Sequence, residues 1–379
     1  MSAALVLAAL SLPVWVYLVV GHGRFWRGPV GLPGGPDPPH WPAVVAVVPA
    51  RNEADLLPRT LPALLAQEYP GDLRVLVVDD ASEDETADVA RRLGAEVVTG
   101  TGPPPGWTGK VAAMAAGLEA AGDPELVLFT DADIEHPPDS VRRLVLTSLG
   151  RRLDLTSLMV LLRVDSAWER IVIPAFVYFF AQLYPFARVN RAGARTAAAA
   201  GGCMLVRRTA LVEAGGLERI ADAVIDDVAL GRLLKHREGG GRIWLGLSAE
   251  VTAVRPYPGL SGLWQMVSRS AYTQLRHSPL LLLGTVAGLL LVYVAPPALV
   301  ADGLASGQVL VVGPAAAAWL LMSVSFVPML RLYRLSAWRA PALPLVAVLY
   351  LAMTVDSARQ HRRGRGAAWK GRFAGPGKT

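Results

Sequence analysis

Long runs of uncharged, apolar residues stand at both ends of the chain, and a region with a different pattern lies between them. Residues 1–21 carry no charged side chain and are long enough to cross a bilayer as a helix. Residues 279–301 and 308–330 form two more such runs. A shorter run, 340–355, contains two prolines. The first three runs predict transmembrane helices.

Arginines and lysines are placed unevenly around these runs. Arg24 and Arg27 follow the first run, and further arginines flank the C-terminal pair, whereas the intervening loop at 302–307 has none. Because cytoplasmic flanks carry the excess of positive charge, we expect the N-terminus outside and the central region in the cytoplasm.

The basic tail at 356–379 restricts what the run at 340–355 can do. If that run crossed the bilayer, the tail would lie outside, against the usual bias. We therefore predict that 340–355 is re-entrant or interfacial, as short runs often are, and that the tail is cytoplasmic. A plain fourth span is the main alternative. The pattern as a whole predicts a multi-pass protein of the cell (inner) membrane.

The central region, 43–258, alternates short apolar runs with amphipathic stripes. The predicted strands are 43–48, 74–78, 96–98 and 126–130, and the predicted helices are 55–67, 86–93 and 109–121. This order predicts a Rossmann-like α/β domain whose mostly parallel sheet carries helices on both faces. A linker rich in Gly and Pro, 22–42, precedes it. An amphipathic juxtamembrane segment, 259–278, follows it.

Composition narrows the possible classes. Of 379 residues, 53% are hydrophobic and 18% are charged, which is too apolar for an ordinary soluble protein. The single cysteine excludes an internal disulfide, and the six histidines have no zinc-site spacing. No Gly-rich dinucleotide or Walker loop follows a predicted strand. We expect no nucleic-acid partner.

The candidate chemistry lies where the predicted strands end. Asp131 and Asp133 directly follow the apolar strand 126–130 and could share a hard divalent cation, Mn²⁺ or Mg²⁺, through their oxygens. Asp is also common in turns and helix caps, which is the alternative interpretation. The loops 51–53 and 79–80 should converge on the same edge of the sheet, because right-handed crossovers bring parallel strand ends together.

Six segments together resemble the family-2 glycosyltransferases of the GT-A fold, in the family's order. They are Val48–Glu53, Val77–Thr86, Gly106–Lys110, Asp131–Asp133, Gly201–Met204 and Ile225–Leu230. The N-terminal anchor and the closing Trp369-Lys370-Gly371-Arg372 are similar to the hopene-associated members in particular. The resemblance implies a GT-A domain with N- and C-terminal transmembrane helices.

The resemblance also implies roles for individual residues. Asp227 matches the catalytic base, while Asp226 stands where the family usually has Glu, which leaves its role open. Asp131 and Asp133 would hold the metal, and Gly201, Gly202 and Cys203 would lie at the acceptor. The nucleotide sugar would contact Pro49, Ala50, Arg51, Glu53, Asp79, Asp80, Lys110 and Asp131. Arg269 and Arg276 do not fit the family's Gln-x-x-Arg-Trp spacing, but either could contact the pyrophosphate of the nucleotide sugar.

Several of these residues have a plainer interpretation. Asp79 and Asp80 could form an Asx turn, and Lys110 could be an ordinary exposed lysine at a helix start. Arg269 and Arg276, which fall on one face of a predicted helix, could be the positive flank of the next span. One of the two aspartates at 226–227 could cap a helix.

An apolar, aromatic run at 171–187 interrupts the domain. If it crossed the bilayer, Asp227 and Asp133 would lie on opposite sides, so we predict an interfacial helix, with a buried core helix as the alternative. The sequence therefore predicts a metal-dependent, inverting transferase that moves a sugar from a nucleotide diphosphate to a hopanoid or other polyprenoid lipid. A processive polysaccharide synthase is the close alternative. A transporter and an inactive sugar-nucleotide-binding scaffold are the others.

Overall fold

A computed structural model describes residues 2–257 and 259–364, and the backbone alone of 368–369 and 372–373. The described chain divides into two compact units. The helical unit comprises the described parts of Met1–Gly28, Val164–Ala187 and Tyr257–Gly366. The sheet unit comprises those of Pro29–Arg163, Arg188–Pro256 and Ala367–Thr379. Most of the predicted basic tail lies outside the described residues.

The sheet unit contains one eight-stranded mixed sheet. Its strands are β1 Val44–Ala50, β2 Leu73–Asp79, β3 Glu96–Thr99, β4 Leu126–Thr130, β5 Ile134–Glu135, β6 Leu155–Leu161, β7 Cys203–Arg207 and β8 Ile243–Ala253. They lie in the order β3-β2-β1-β4-β7-β6-β8-β5. The first four are parallel, β7 runs antiparallel to both of its neighbours, and β8 is parallel to β6. The predicted mostly parallel α/β domain is confirmed.

The chain's α-helices alternate with these strands and then continue alone. They are α1 Ala3–Val16, α2 Leu57–Leu65, α3 Thr86–Arg92, α4 Gly109–Ala120, α5 Ser140–Arg151, α6 Ala167–Leu183, α7 Phe186–Val189, α8 Arg208–Glu213, α9 Asp226–Lys235, α10 Leu260–Gln274, α11 Pro279–Leu289, α12 Ala295–Ser306, α13 Val309–Leu332 and α14 Leu343–Arg362. Wider helical turns join α11 to α12 and extend α1 to Gly21.

The burial and register of β1, β2 and β4 explain why the carboxyl ends of these strands lie side by side. Every residue of β1 and of β4 is buried, as their continuous apolar runs predict for strands covered on both faces. The register pairs Ala50 with Asp79 and Val47 with Phe129. The loops after β1, β2 and β4 therefore leave the sheet side by side, which is the edge where open α/β sheets bind ligands.

The segment predicted as a linker is partly built into the sheet unit. Val30 forms a parallel bridge to Leu247, and Gly31 N donates to Leu247 O at 2.8 Å. Gly34 N donates to the Thr147 hydroxyl at 3.1 Å, on α5. The Gly and Pro content that predicts a linker gives a chain without regular structure here, but backbone pairing fixes it from Pro29 onward.

Among the described residues, five helical stretches are long and apolar enough to cross a membrane. They are Ala3–Gly21, Ala167–Val189, Pro279–Ser306, Val309–Leu332 and Ala337–Arg362. Within the helical unit, α1, α12 and α13 pack together, with Ala8 in a cluster with Leu299 and Ala315. Large apolar side chains such as Leu280 and Val309 stay about four-fifths exposed, which is the surface that lipid covers in a membrane protein.

The aromatic run on α6 is half buried inside the helical unit. Tyr178 is fully enclosed, its hydroxyl lies 2.6 Å from the Ser325 hydroxyl, and its ring meets Phe326 edge-on. Phe179 packs in the same way on Tyr350. The exposed apolar residues Ile171 and Leu183 lie elsewhere on α6. The helix thus combines a packed face with an apolar outer face.

The last helical stretch contacts the preceding helices at both of its ends. The indole nitrogen of Trp319, midway along α13, donates to Pro341 O at 3.0 Å. At the other end of α14, the His361 ring stacks on His277, 4.0 Å away, just before α11 begins. This last helical stretch therefore begins beside the middle of α13 and ends beside the start of α11.

A tight contact between α4 and the sheet yields a stability prediction. A Cβ on Gly117 would overlap Val47 Cγ1 and lie 2.9 Å from Val78 Cγ2. We expect Gly117→Ala to lower the free energy of unfolding of the sheet by about 1–3 kcal/mol, because overpacking outweighs the gain of roughly 1 kcal/mol in helix propensity. Thermal unfolding in detergent measures this.

A second substitution provides the control. Val47→Ala removes the Cγ1 methyl group that the new Cβ would overlap, although Val78 Cγ2 remains. The double variant should therefore lose less stability than the two single losses added together. Purely additive losses would contradict the packing explanation.

Candidate active site

The loops after β1 and β2 are tied to each other by an arginine. Arg51, whose side chain is 5% exposed, donates through Nη1 to Asp80 O at 2.7 Å and to Ala81 O at 2.6 Å. Its Nη2 pairs with Glu83 at 3.0 Å. The residue predicted to contact the nucleotide therefore braces the second loop from inside. Pro49 and Ala50 precede it in β1, where Ala50 is fully buried.

The pair at the end of β2 is also buried. Asp79 Oδ1 accepts from Ser82 N at 3.3 Å, three residues on, whereas an Asx turn would use the N–H two residues on. Asp80 N donates to Ala50 O at 2.9 Å. Both carboxylates are less than a tenth exposed. Both stand at the carboxyl end of β2, next to the loop that follows β1.

A lysine joins the carboxylate after β4 to the start of α9. Lys110 Nζ lies 2.7 Å from Asp131 Oδ1 and 3.2 Å from Asp226 Oδ2. Its side chain is only 17% exposed, so the exposed lysine of the plainer interpretation is wrong. Thr108, which precedes α4, donates its backbone N–H to Ala221 O at 2.8 Å and so holds the two segments together.

These charges shift one another's pKa values. Burial alone would lower the pKa of Lys110, but the attraction of Asp131 and Asp226 outweighs it and raises that pKa. Burial raises the pKa of Asp131, and the nearby charge of Asp133 adds to this, although Lys110 opposes both. The lysine therefore stays charged and serves as the internal counter-ion of this cluster.

Asp227 is held by backbone donors on two sides. Its Oδ2 accepts from Gly201 N at 2.9 Å, and its Oδ1 accepts from Val228 N at 2.7 Å. Burial, together with the charge of Asp226, raises the pKa of Asp227 to about 6. A carboxylate with this pKa is deprotonated at pH 7 and is a stronger base than an ordinary aspartate.

Gly201 is required by this packing. A Cβ there would lie 2.9 Å from Lys110 Nζ and 3.5 Å from Asp227 Oδ2. Ala200 N and O both bond to the Ser157 hydroxyl, and Thr130 donates to Gly202 O at 2.8 Å. The glycine loop is therefore fixed against the sheet with its backbone next to Asp227.

A second cation, Arg255, faces the other metal candidate. Its Nε lies 2.7 Å from Asp133 Oδ2, and its Nη2 lies 2.6 Å from Glu53 Oε1. Val254 N donates to Asp133 O at 2.8 Å, and Ile134 of β5 pairs with Ala253 of β8. Sequence reasoning missed Arg255, because only this strand pairing brings it to the site.

The donor set fits a divalent cation that is bound together with a phosphate group. In the part of the chain that the structure describes, no group of three or more His, Cys, Asp or Glu side chains could hold a metal ion alone. However, Mg²⁺ is commonly bound by one or two carboxylates plus substrate phosphates. Asp131 and Asp133 would supply the carboxylates. Their cluster has five carboxylates against two cations, so it favours added positive charge; its acids are Glu53, Asp131, Asp133, Asp226 and Asp227.

The structure changes the interpretation of three further predicted residues. Cys203 is fully buried in the core of the sheet unit, and burial raises the pKa of its thiol to about 12, so it packs rather than meeting an acceptor. Arg269 is exposed on α10 in the helical unit. Arg276 lies beyond the end of α10 with φ at 52°, so the prediction that the two arginines share a helical face is wrong.

Comparison with known proteins finds similarity between part of the sheet-forming region and glycosyltransferases. Residues 45–215 match the family model described as Glycosyl transferase family 2. A mannosyltransferase from Pyrobaculum calidifontis, solved in complex with GDP-Man and Mn²⁺, is 22% identical and superposes with a TM-score of 0.60. The match covers 95% of this chain and 98% of that one, and it shows the GT-A fold.

Curated relatives match over shorter stretches. A 4,4'-diaponeurosporenoate glycosyltransferase of Staphylococcus haemolyticus is 32% identical over 112 residues, which are 29% of this chain and 29% of that protein. An uncharacterized glycosyltransferase of Mycobacterium tuberculosis is 39% identical over 115 residues, 30% of this chain. The chain thus spans less than half the length of these relatives, 29% and 47% respectively.

Proposed function

Because residues 45–215 form a glycosyl transferase family 2 domain, we propose that this protein is a membrane-bound, inverting glycosyltransferase. It moves a sugar from a nucleotide diphosphate donor to the hydroxyl of a lipid, at the cytoplasmic face of the cell membrane. The observation that carries the proposal is the Lys110 ammonium between Asp131 and Asp226. This ammonium joins Asp131, on the side of the proposed donor, and Asp226, the neighbour of the proposed base Asp227, in one cluster.

Asp227 acts as the general base. As the acceptor hydroxyl oxygen forms its bond to the anomeric carbon, Asp227 takes the hydroxyl proton, and the bond from that carbon to the diphosphate oxygen breaks. Displacement from the opposite face inverts the anomeric configuration. The two backbone donors, Gly201 N and Val228 N, keep the carboxylate oriented for this transfer. Asp226 holds Lys110 instead of acting on the acceptor.

The diphosphate end is stabilised by positive charge. Lys110 stands at the N-terminus of α4, where the ammonium and the helix end both favour an anion. Asp131 and Asp133 would hold Mn²⁺ or Mg²⁺, which supplies a Lewis acid for the leaving diphosphate. The similarity to a mannosyltransferase solved with GDP-Man and Mn²⁺ supports a nucleotide sugar and a divalent cation.

A lipid acceptor is supported by two separate observations. The chain carries helical stretches that could cross a membrane, with exposed apolar side chains along them. One relative is named for glycosylating diaponeurosporenoate, a polyprenoid-type acceptor. We therefore place a hopanoid or another polyprenoid lipid first among the acceptors to be tested.

Chain connectivity restricts the membrane topology. The strands before and after α6, β6 and β7, pair within one sheet, so both ends of α6 must lie on the same side of a bilayer. If α11–α12 and α13 cross as a hairpin, His361 stacked on His277 returns to the cytoplasmic level. α14 is then re-entrant, as the contact of the preceding residue Pro341 with the middle of α13 also favours.

The function is tested with purified protein in lipid. A panel of nucleotide sugars is offered with and without a hopanoid or other polyprenoid alcohol, and release of the nucleoside diphosphate and glycosylation of the lipid are measured. We expect one donor to give both products only when the lipid is present. Release of diphosphate with a growing polysaccharide would favour the processive synthase instead.

Removing the metal should stop the reaction. We expect Asp133→Asn to lower turnover by at least about 100-fold, because the leaving diphosphate loses its counter-charge. A chelator should do the same to the wild type, and added Mn²⁺ or Mg²⁺ should restore it. Asp123→Asn, at an exposed carboxylate paired with Arg208, is the matched control and should be silent. Full turnover in excess chelator would refute the metal role.

Replacing the base should separate catalysis from donor binding. Asp227→Asn should reduce kcat by about 10²–10⁴-fold while the nucleoside diphosphate still binds, because the base acts on the acceptor. Asp222→Asn, an exposed residue of the preceding loop, serves as control. Since the base must be deprotonated and its pKa is raised to about 6, wild-type kcat should fall as the pH drops through about 6. Unchanged kcat in Asp227→Asn would move the role elsewhere.

Labelling from outside the cell tests the topology. In a Cys203→Ser background, single cysteines at Ser306, Ser336 and Arg363 occupy exposed positions and are treated with an impermeant thiol reagent. We expect only Ser306→Cys to react on intact cells, and all three to react after lysis. Labelling of Arg363→Cys on intact cells would show that α14 crosses the bilayer.

A further inference from the structure

Arg255 occupies a position for which neither the family match nor the sequence motifs assign a role. It lies two residues past β8, outside the matched region at 45–215. Its guanidinium bridges two carboxylates from distant segments, Asp133 after β4 and Glu53 after β1. Both partners stand at the edge of the sheet where the donor is proposed to bind.

The guanidinium is anchored but not sealed off. Glu53 is 6% exposed and Asp133 16%, whereas the Arg255 side chain is 28% exposed. Asp133 accepts from Nε, and Glu53 accepts from Nη2. The N–H groups of Nη1 donate to no residue in the described part of the chain. A planar group with a free donor pair on its open side matches the oxygens of a phosphate.

Arg255 also shares Asp133 with the proposed metal. A divalent cation on Asp133 would lie close to a guanidinium, and two positive charges at such short range repel each other. A diphosphate bound between the metal ion and the guanidinium would replace this repulsion by attraction, because each cation would then face an anion. An arginine guanidinium stays protonated throughout the physiological pH range, so the repelling charge is permanent.

We propose that Arg255 binds the diphosphate of the donor and makes metal binding and nucleotide binding depend on each other. Without nucleotide, the guanidinium on Asp133 keeps the affinity for the metal low. With nucleotide, the diphosphate accepts from Nη1 and coordinates the metal, so both affinities rise together, as linkage requires. This inference rests on the proposed function, because it assigns the ligand of the same site.

Equilibrium binding tests this without turnover. The dissociation constant of Mn²⁺ is measured from the spin resonance of free Mn²⁺, with and without GDP or UDP, and that of each nucleotide is measured at saturating Mn²⁺. For Arg255→Gln we expect Mn²⁺ alone to bind about tenfold tighter, since the repelling charge is gone. We expect the nucleotide to bind about 10- to 100-fold weaker, since a charged hydrogen bond is lost.

Arg255→Lys separates charge from geometry. It keeps the positive charge, so Mn²⁺ alone should bind within about twofold of wild type, but it lacks the planar fork, so the nucleotide should still bind about tenfold weaker. Arg59→Gln removes a guanidinium from the exposed Glu135 pair nearby and should change neither constant. A residue that only supports the fold would not give opposite shifts for the two ligands.

Other outcomes overturn the proposal. They are a nucleotide affinity that is unchanged in both Arg255 variants, and a parallel loss of both ligands in Arg255→Lys. If Arg255→Gln does not fold, Arg255→Lys alone decides. A wild type that binds GDP or UDP with Mn²⁺ but transfers no sugar would refute the proposed function and leave this test intact.

Discussion

The geometry of the site depends on one largely enclosed lysine between two carboxylates. Lys110 links Asp131, which follows β4, to Asp226, which starts α9 almost a hundred residues later in the chain. Burying any one of these charges alone would be costly, whereas the paired arrangement offsets the cost of desolvation. Because each partner needs the other, the loop after β4, the start of α4 and the start of α9 are held at fixed positions.

That constraint has a direct chemical consequence. Asp226 pairs with Lys110 and lies next to Asp227. Burial and the negative charge of Asp226 together raise the pKa of Asp227 to about 6. The same crowding leaves the cluster short of positive charge, which suits a cation that arrives together with a diphosphate. Arg255 supplies part of that charge from the opposite side, on Asp133 and Glu53. The raised pKa of Asp227 and the excess of negative charge in the cluster are thus two results of the same concentration of carboxylates.

The helical unit shows a different constraint, set by connectivity. An apolar helix such as α6 satisfies the length and composition of a membrane span, yet β6 before it and β7 after it share one sheet. Hydropathy alone therefore does not decide the path of this helix. The stacking of His361 on His277 restricts α14 in a similar manner. A contact between residues that are far apart in the sequence limits where a long apolar helix can end.

Local pattern alone determined the secondary structure of the sheet unit well. The strand at 126–130 has the predicted ends, and the helix predicted at 109–121 is found as Gly109–Ala120, because apolar runs and stripes report on the faces that a segment buries. The motifs also placed Asp131, Asp133, Asp226 and Asp227 near strand ends and helix starts. Such signals are local, so they identify residues but not their partners.

Tertiary structure decided which of those residues meet. Arg255 is 122 positions from Asp133 and 202 from Glu53, and only the pairing of β5 with β8 brings it to them. Lys110 is buried and paired, although its sequence context allowed an exposed lysine. Cys203 turned inward because β7 lies in the middle of the sheet. Strand order and crossover direction set these contacts, and neither is encoded in the period of any single segment.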